Sequence, residues 1–289
     1  MRMTSFISPL PAVLVSILSV QVGAALAKGL FPALGPAGTV GLRIGISALL
    51  LLAAFRPKLA ALNAAQWRAV VPYGLALAVM NMTFYFALER IPLGIAVAVE
   101  FAGPLAVAVF GSRKPIDVLW VLLAGAGITL IAPRSGGGSL DAVGLLLAAI
   151  AGACWAGYIV LGGRLARVLA DGDAVAIGML VAAVAALPVS CAMGGFARLT
   201  ADHLAVGAGV ALLSSAIPYT LEMVALRSLP ARSFGILMSL EPAIAAMAGM
   251  VILHELLTPA QWLSVALVIV ASLGSVLTSR QTATASDIK

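Results

Sequence analysis

The chain has 289 residues, of which 62% are apolar and 10% charged, and its mean hydropathy is +1.13. A soluble domain carries about 45–50% apolar and about 25% charged residues, so too little polar side chain is present to cover a water-soluble globule. The net charge is +6, but Lys and Arg come in ones and twos between apolar runs, with no basic stripe interleaved with aromatics, which excludes a nucleic-acid binder.

Ten apolar spans follow one another, at about 10–29, 36–55, 68–88, 93–111, 116–132, 141–162, 173–193, 203–226, 231–253 and 259–279. About 20 apolar residues cross the hydrocarbon core as a helix. The runs are continuous rather than alternating, which points to helices and not to barrel strands. Pro, Gly and charged clusters separate them, among them Phe31-Pro32 and Arg56-Pro57-Lys58. The first run follows Arg2 and ends in Ala25-Leu26-Ala27, like a secretory signal with its cleavage site. Its stretch from Pro9 to Ala27 is longer than a signal core and is expected to stay as the first span.

With both termini on one side, twelve of the seventeen basic residues fall on that side and four (Lys28, Arg90, Arg134 and Arg198) on the other, with Arg43 inside a span. Basic loops stay cytoplasmic, so both termini are expected inside.

Residues 134–140 read as a linker between halves that resemble each other. Ala87-Leu88-Glu89-Arg90-Ile91-Pro92 matches Ala225-Leu226-Arg227-Ser228-Leu229-Pro230, and Pro104 matches Pro242 at the same offset; Gln21 parallels Trp155. The division is residues 1–133 for the first repeat, 141–280 for the second and 281–289 for a cytoplasmic tail. Each half holds five spans, an odd number, so the second enters the membrane from the opposite face. Such inverted repeats recur in secondary transporters, with the substrate site between the halves.

Glu100, Glu222 and Glu241 lie inside apolar spans, and Arg43 lies in the second. A mid-bilayer charge costs about 2.5–3.5 kcal/mol on insertion scales. Two readings stand side by side: the charges pair to fix helix register, for instance Arg43 with a glutamate, or they line a polar cavity for substrate or protons. Asn81 and Tyr85 share a face of the third span, Tyr219 is three residues from Glu222, Trp155 three from Tyr158, and Gln21 is the lone polar residue of its stretch. Aromatic faces beside carboxylates suit an ammonium group. Pro104, Pro218 and Pro242 are read as kinks within spans. Gly41/Gly45, Gly23/Ala27, Ala153/Gly157 and Ala245/Gly249 are read as close helix contacts.

Cys154 and Cys191 are read as small buried hydrophobes, and His203 and His254 as ends of apolar runs; no metal or cofactor is expected. No Gly-x-Ser-x-Gly or His-Glu-x-x-His occurs, and Ser214-Ser215 has no in-membrane His partner, so an enzyme is not expected.

The segments Pro92–Ala108 around Glu100 and Pro104, Ser112–Pro115, Gly152–Ala156, Pro218–Leu226 around Glu222, and Phe234–Ala243 around Glu241 together resemble the drug/metabolite transporter superfamily, in its group of proteins with two EamA repeats. The resemblance covers nearly the whole chain. It implies an all-α integral membrane protein of the bacterial inner membrane, with ten helices as two inverted five-helix repeats. Spans 1–4 and 6–9 would surround a cavity, with spans 5 and 10 outside. It further implies proton-coupled export of small amino acids such as threonine and homoserine. Export of another small metabolite (cysteine-related, aromatic or drug-like) is the alternative. The expected partners are the amino acid, protons and the lipid bilayer, with no nucleic acid; the sequence neither requires nor excludes a homodimer.

Overall fold

The computed structural model describes residues 9–110, 116–130, 141–218, 221 and 231–278. Among them there are twelve α-helices: α1 (Pro9–Lys28), α2 (Phe31–Phe55), α3 (Ala64–Leu88), α4 (Leu93–Glu100), α5 (Ala102–Phe110), α6 (Ile116–Leu130), α7 (Ala142–Leu165), α8 (Asp171–Ala192), α9 (Ala201–Ala211), α10 (Ala231–Met238), α11 (Glu241–Leu253) and α12 (Pro259–Thr278). Seven stretches are long and apolar enough to cross a membrane; Leu93–Val107 and Ile116–Leu130 are apolar but shorter.

Several helices start where the sequence supplies a cap. The Asn63 side chain accepts from the Gln66 amide while Gln66 reaches back to Asn63. Thr200 and His203 form the same reciprocal pair ahead of α9, which accounts for His203 as a helix start. Asp141 caps α7 through the Gly144 amide, which together with Arg90 holds its carboxyl below the usual range. His254 closes α11 in the left-handed conformation (φ 56°).

Three expected spans are not continuous helices. The chain breaks between α4 and α5 just after Glu100, and between α10 and α11 at Ser239-Leu240. Pro104 and Pro242 therefore sit in the first turns of new helices, where a missing amide proton takes nothing from the helix, and not mid-helix as kinks. After α9, Leu212–Ala216 forms a π-turn. The second span begins at Phe31, earlier than expected; its irregularity is Gly35 (φ 65°), since the residue before Pro36 is kept out of the helical region.

Packing is tightest where a side chain is absent. Gly38 meets Gly195 backbone to backbone between α2 and the turn after α8, and Gly103 of α5 meets the Gly152 carbonyl of α7. Hydroxyls tie helices to neighbouring carbonyls: Ser190 Oγ donates to Ala37 O at 2.7 Å, and Ser19 Oγ to Leu213 O at 2.7 Å. Within each of the expected close contacts, Gly41 and Gly23 do face neighbours, whereas Gly157 faces open space. The large apolar side chains Leu49, Leu122, Val184 and Val251 point outward, as a lipid-facing surface requires. Cys191 is exposed on this surface rather than buried, and Cys154 is half-buried.

At one end of the bundle, Lys28 Nζ meets Glu255 Oε1 at 2.6 Å and the Ile91 carbonyl at 3.2 Å. Glu255 Oε2 accepts the Leu93 amide at 2.8 Å, capping α4. This clasp joins α1, α4 and the segment after α11. Below it α4 is buried on every side down to Glu100.

Candidate functional site: a cavity with both signs of charge

A cavity of about 210 Å³ lies between α1, α2, α3, α4, α7, α8, α11 and the π-turn. It is smaller than pockets for drug-sized ligands, which run to about 300–1,000 Å³. Its walls carry Arg43, Asn81, Tyr85, Glu100, Trp155 and Glu241, six of the residues expected from the sequence. Two further grooves are apolar, and a third, lined by Arg56, Lys58 and Asp173, lies by the loop that joins α2 to α3.

Among the described residues the Arg43 side chain forms no ion pair with a glutamate. It donates from Nη2 to Asn81 Oδ1, and its guanidinium centre sits 5.1 Å from the centre of the Tyr85 ring. Asn81 is itself fixed, its amide donating to Leu77 O at 2.8 Å. Arg43 Nε and Tyr85 Oη are buried without a hydrogen-bond partner among the described residues. Both are donors, so the site presents two unused donors beside a positive charge.

The two described glutamates of the cavity sit at opposite helix poles. Glu241 is the first residue of α11, where unpaired amides support negative charge, and Glu100 is the last of α4, at the carbonyl end. Glu100, Glu241 and Arg43 lie close enough for their charges to interact. Glu100 is held by its backbone, which packs on Gly152 of α7; a Cβ there would meet the Glu100 carbonyl at 2.6 Å. Trp155 stands edge-on to Phe101, with ring centres 5.6 Å apart.

Gln21 does not line the cavity. It is 2% exposed and its Nε2 donates to Glu241 Oε1 at 3.0 Å, holding that carboxylate from behind. Glu222 and Tyr219 lie outside the described residues. The expectation missed Ser214, Met80, Phe84, Tyr158, Met179 and Met238, which also line the space. Tyr158 accepts from the Tyr73 hydroxyl at 2.8 Å and stacks on that ring. The apolar members carry no polar signal, and Ser214 reads in the sequence as an ordinary small residue. Among the described residues no group of three His, Cys, Asp or Glu could hold a metal ion.

The profile of the EamA-like transporter family matches residues 142–277. The threonine/homoserine exporter RhtA of Escherichia coli (strain K12) is 46% identical over 275 residues, covering 94% of this chain and 92% of that protein. The chain belongs to the EamA-like transporter family. RhtA of Salmonella typhimurium (strain LT2) matches at the same 46% identity and coverage. A more distant relative, the uncharacterized transporter YwfM of Bacillus subtilis (strain 168), is 28% identical over 82% of each chain. A crystal structure of a protein only 20% identical superposes with a TM-score of 0.59, covering 93% of this chain and 96% of that one, a likeness of fold alone. As an EamA-family member with outward-facing apolar helices, the chain is a multi-pass membrane protein.

Proposed function

We propose that the protein is a secondary active transporter that exports small amino acids, threonine and homoserine among them, across the bacterial cytoplasmic membrane in exchange for protons. One observation carries this reading: a cavity of amino-acid size presents a guanidinium and two carboxylates to the same space, in a chain 46% identical to exporters of threonine and homoserine. A zwitterion is complementary to that arrangement.

In this reading the substrate carboxylate lies against Arg43 and Tyr85, whose Nε and hydroxyl have no partner among the described residues. The ammonium group lies between the glutamates and the Trp155 face. Glu241, at a helix start and braced by Gln21, serves as the fixed counter-ion. Glu100, at a helix end, exchanges the proton. When the cation leaves, Glu100 takes up a proton from the far side, which keeps the cavity from returning with an unpaired charge.

The architecture that goes with this mechanism is ten spans in two inverted repeats, residues 1–133 and 141–280. The helix breaks support it: α4 spans 93–100 and α10 spans 231–238, the same offset of 138 that relates Pro104 to Pro242. The packing supports it as well, because α1 packs on α11 while α7 packs on α4 and α5, each first helix of a half against the broken helix of the other. Cytoplasmic termini follow from the loop charges. Lys28 and Arg90, on the opposite face, are both neutralised by ion pairs, with Glu255 and Asp141.

The test is efflux of labelled threonine preloaded into proteoliposomes, with and without an imposed proton gradient, alongside competition by cysteine and aromatic amino acids. Gradient-driven efflux of threonine is expected. Its absence, with efflux of another metabolite, would move the substrate assignment.

A further inference from the structure

We propose that Ser214, in the π-turn after α9, is the subsite that reads the side-chain hydroxyl of the exported amino acid. The inference rests on the amino-acid export reading above and specifies which amino acids it favours.

Ser214 lines the cavity, and its Oγ is buried from solvent and has no hydrogen-bond partner among the described residues. A buried polar atom left alone costs about 1–3 kcal/mol, and such atoms call for an explanation. Neighbouring hydroxyls show what the alternatives are. Ser19 donates to the Leu213 carbonyl and Ser47 to the Ser215 hydroxyl, so a polar group on either side of Ser214 is used within the protein. Helical hydroxyls elsewhere fold back on the carbonyl four residues earlier, as Thr39, Thr83 and Ser190 do. Ser214 does neither.

The local backbone holds it in that state. In the π-turn Leu212–Ala216 the Ile217 amide reaches back to Leu212 O, one residue further than in an α-helix. Pro218, four residues after Ser214, brings no amide proton to the Ser214 carbonyl. The turn therefore shows the cavity an unused hydroxyl on a residue whose carbonyl has lost its α-helical partner. Gly23 of α1 makes the room: a Cβ there would collide with Ser214 Oγ.

The charged ends of the cavity are accounted for by the substrate's own charges, with Tyr85 beside Arg43 at the carboxylate end. Asn81 is engaged with Arg43 and Leu77. The described lining also includes the apolar Val20, Ala24 and Pro218, and Gly23, on the same helix as Val20 and Ala24, lies against Ser214 Oγ. A single neutral polar group against an apolar wall suits one hydroxyl on a short carbon chain. A methyl in place of that hydroxyl leaves Ser214 unsatisfied, and sites built on a hydrogen bond reject such analogues strongly.

The test uses the full chain in proteoliposomes, with threonine and valine, which differ by a hydroxyl for a methyl, competing against labelled threonine. Wild type is expected to prefer threonine. Ser214→Ala is expected to reduce the threonine-to-valine preference by roughly 3- to 10-fold, the range of one neutral hydrogen bond, while total transport persists. Ser214→Cys, of similar size but a weak donor, is expected to move the ratio the same way. An unchanged ratio in both variants overturns the assignment. Wild type that moves no amino acid overturns the export reading itself, and with it this subsite.

Discussion

The Gln21 amide donates to the Glu241 carboxylate at 3.0 Å from opposite ends of the sequence, joining the middle of α1 to the first residue of α11. Both are buried, at 2% and 7% exposure. Gln21→Leu removes the donor while keeping the volume. The variant is expected to lose about 1–3 kcal/mol of stability, read as an earlier melting transition in detergent, because a buried carboxylate loses a partner. Threonine efflux falls with it, whereas Gln21→Asn retains part of both.

Glu100 is assigned the proton and Glu241 the counter-ion charge, and the two can be separated. Glu100→Gln is expected to abolish gradient-driven efflux while exchange of internal for external threonine continues. Glu241→Gln is expected to weaken both. Paired efflux and exchange assays check this; equal loss of both activities in Glu100→Gln would remove its distinct role.

Arg43 tests recognition of the carboxylate. Arg43→Lys keeps the charge but gives up the planar fork that meets Asn81 and leaves Nε free. KM for threonine is expected to rise roughly tenfold, about 1.4 kcal/mol, with little change in the maximal rate. Threonine amide, which has no carboxylate, should compete equally weakly in both proteins.

Gly103 of α5 and the Gly152 carbonyl of α7 leave no space for a methyl. Gly103→Ala is expected to destabilise the protein by about 1–3 kcal/mol, measured by thermal melting in detergent. The change also displaces Glu100, whose own carbonyl packs on Gly152, so transport drops further than stability alone would give.

The helical, membrane-spanning character is legible because lipid contact forces long apolar runs, and seven of these stand as helices long and apolar enough to cross a membrane. The intramembrane charges were legible for the same reason: Glu100, Glu241 and Arg43 stand out against their runs, and all three reach the cavity. Partnerships were harder. Arg43 meets Asn81 because those two residues face each other across the contact between α2 and α3, a relation between helices that no local spacing records. The prolines signalled irregularity, but the backbone breaks two or three residues earlier, since proline fits the first turn of the following helix. Ser214 was passed over because a serine in an apolar run is ordinary; its interest lies in a partner it lacks, which only coordinates reveal.

Glycine-to-carbonyl and glycine-to-glycine contacts hold this bundle where apolar side chains would hold a soluble protein. In a bilayer the hydrophobic effect carries helices into the membrane and contributes little to gathering them there. Mutational tolerance is consequently turned inside out. Leu49 and Val184, large and outward-facing, can be exchanged for almost any apolar neighbour, while glycines at helix crossings such as Gly38 and Gly103 permit no enlargement.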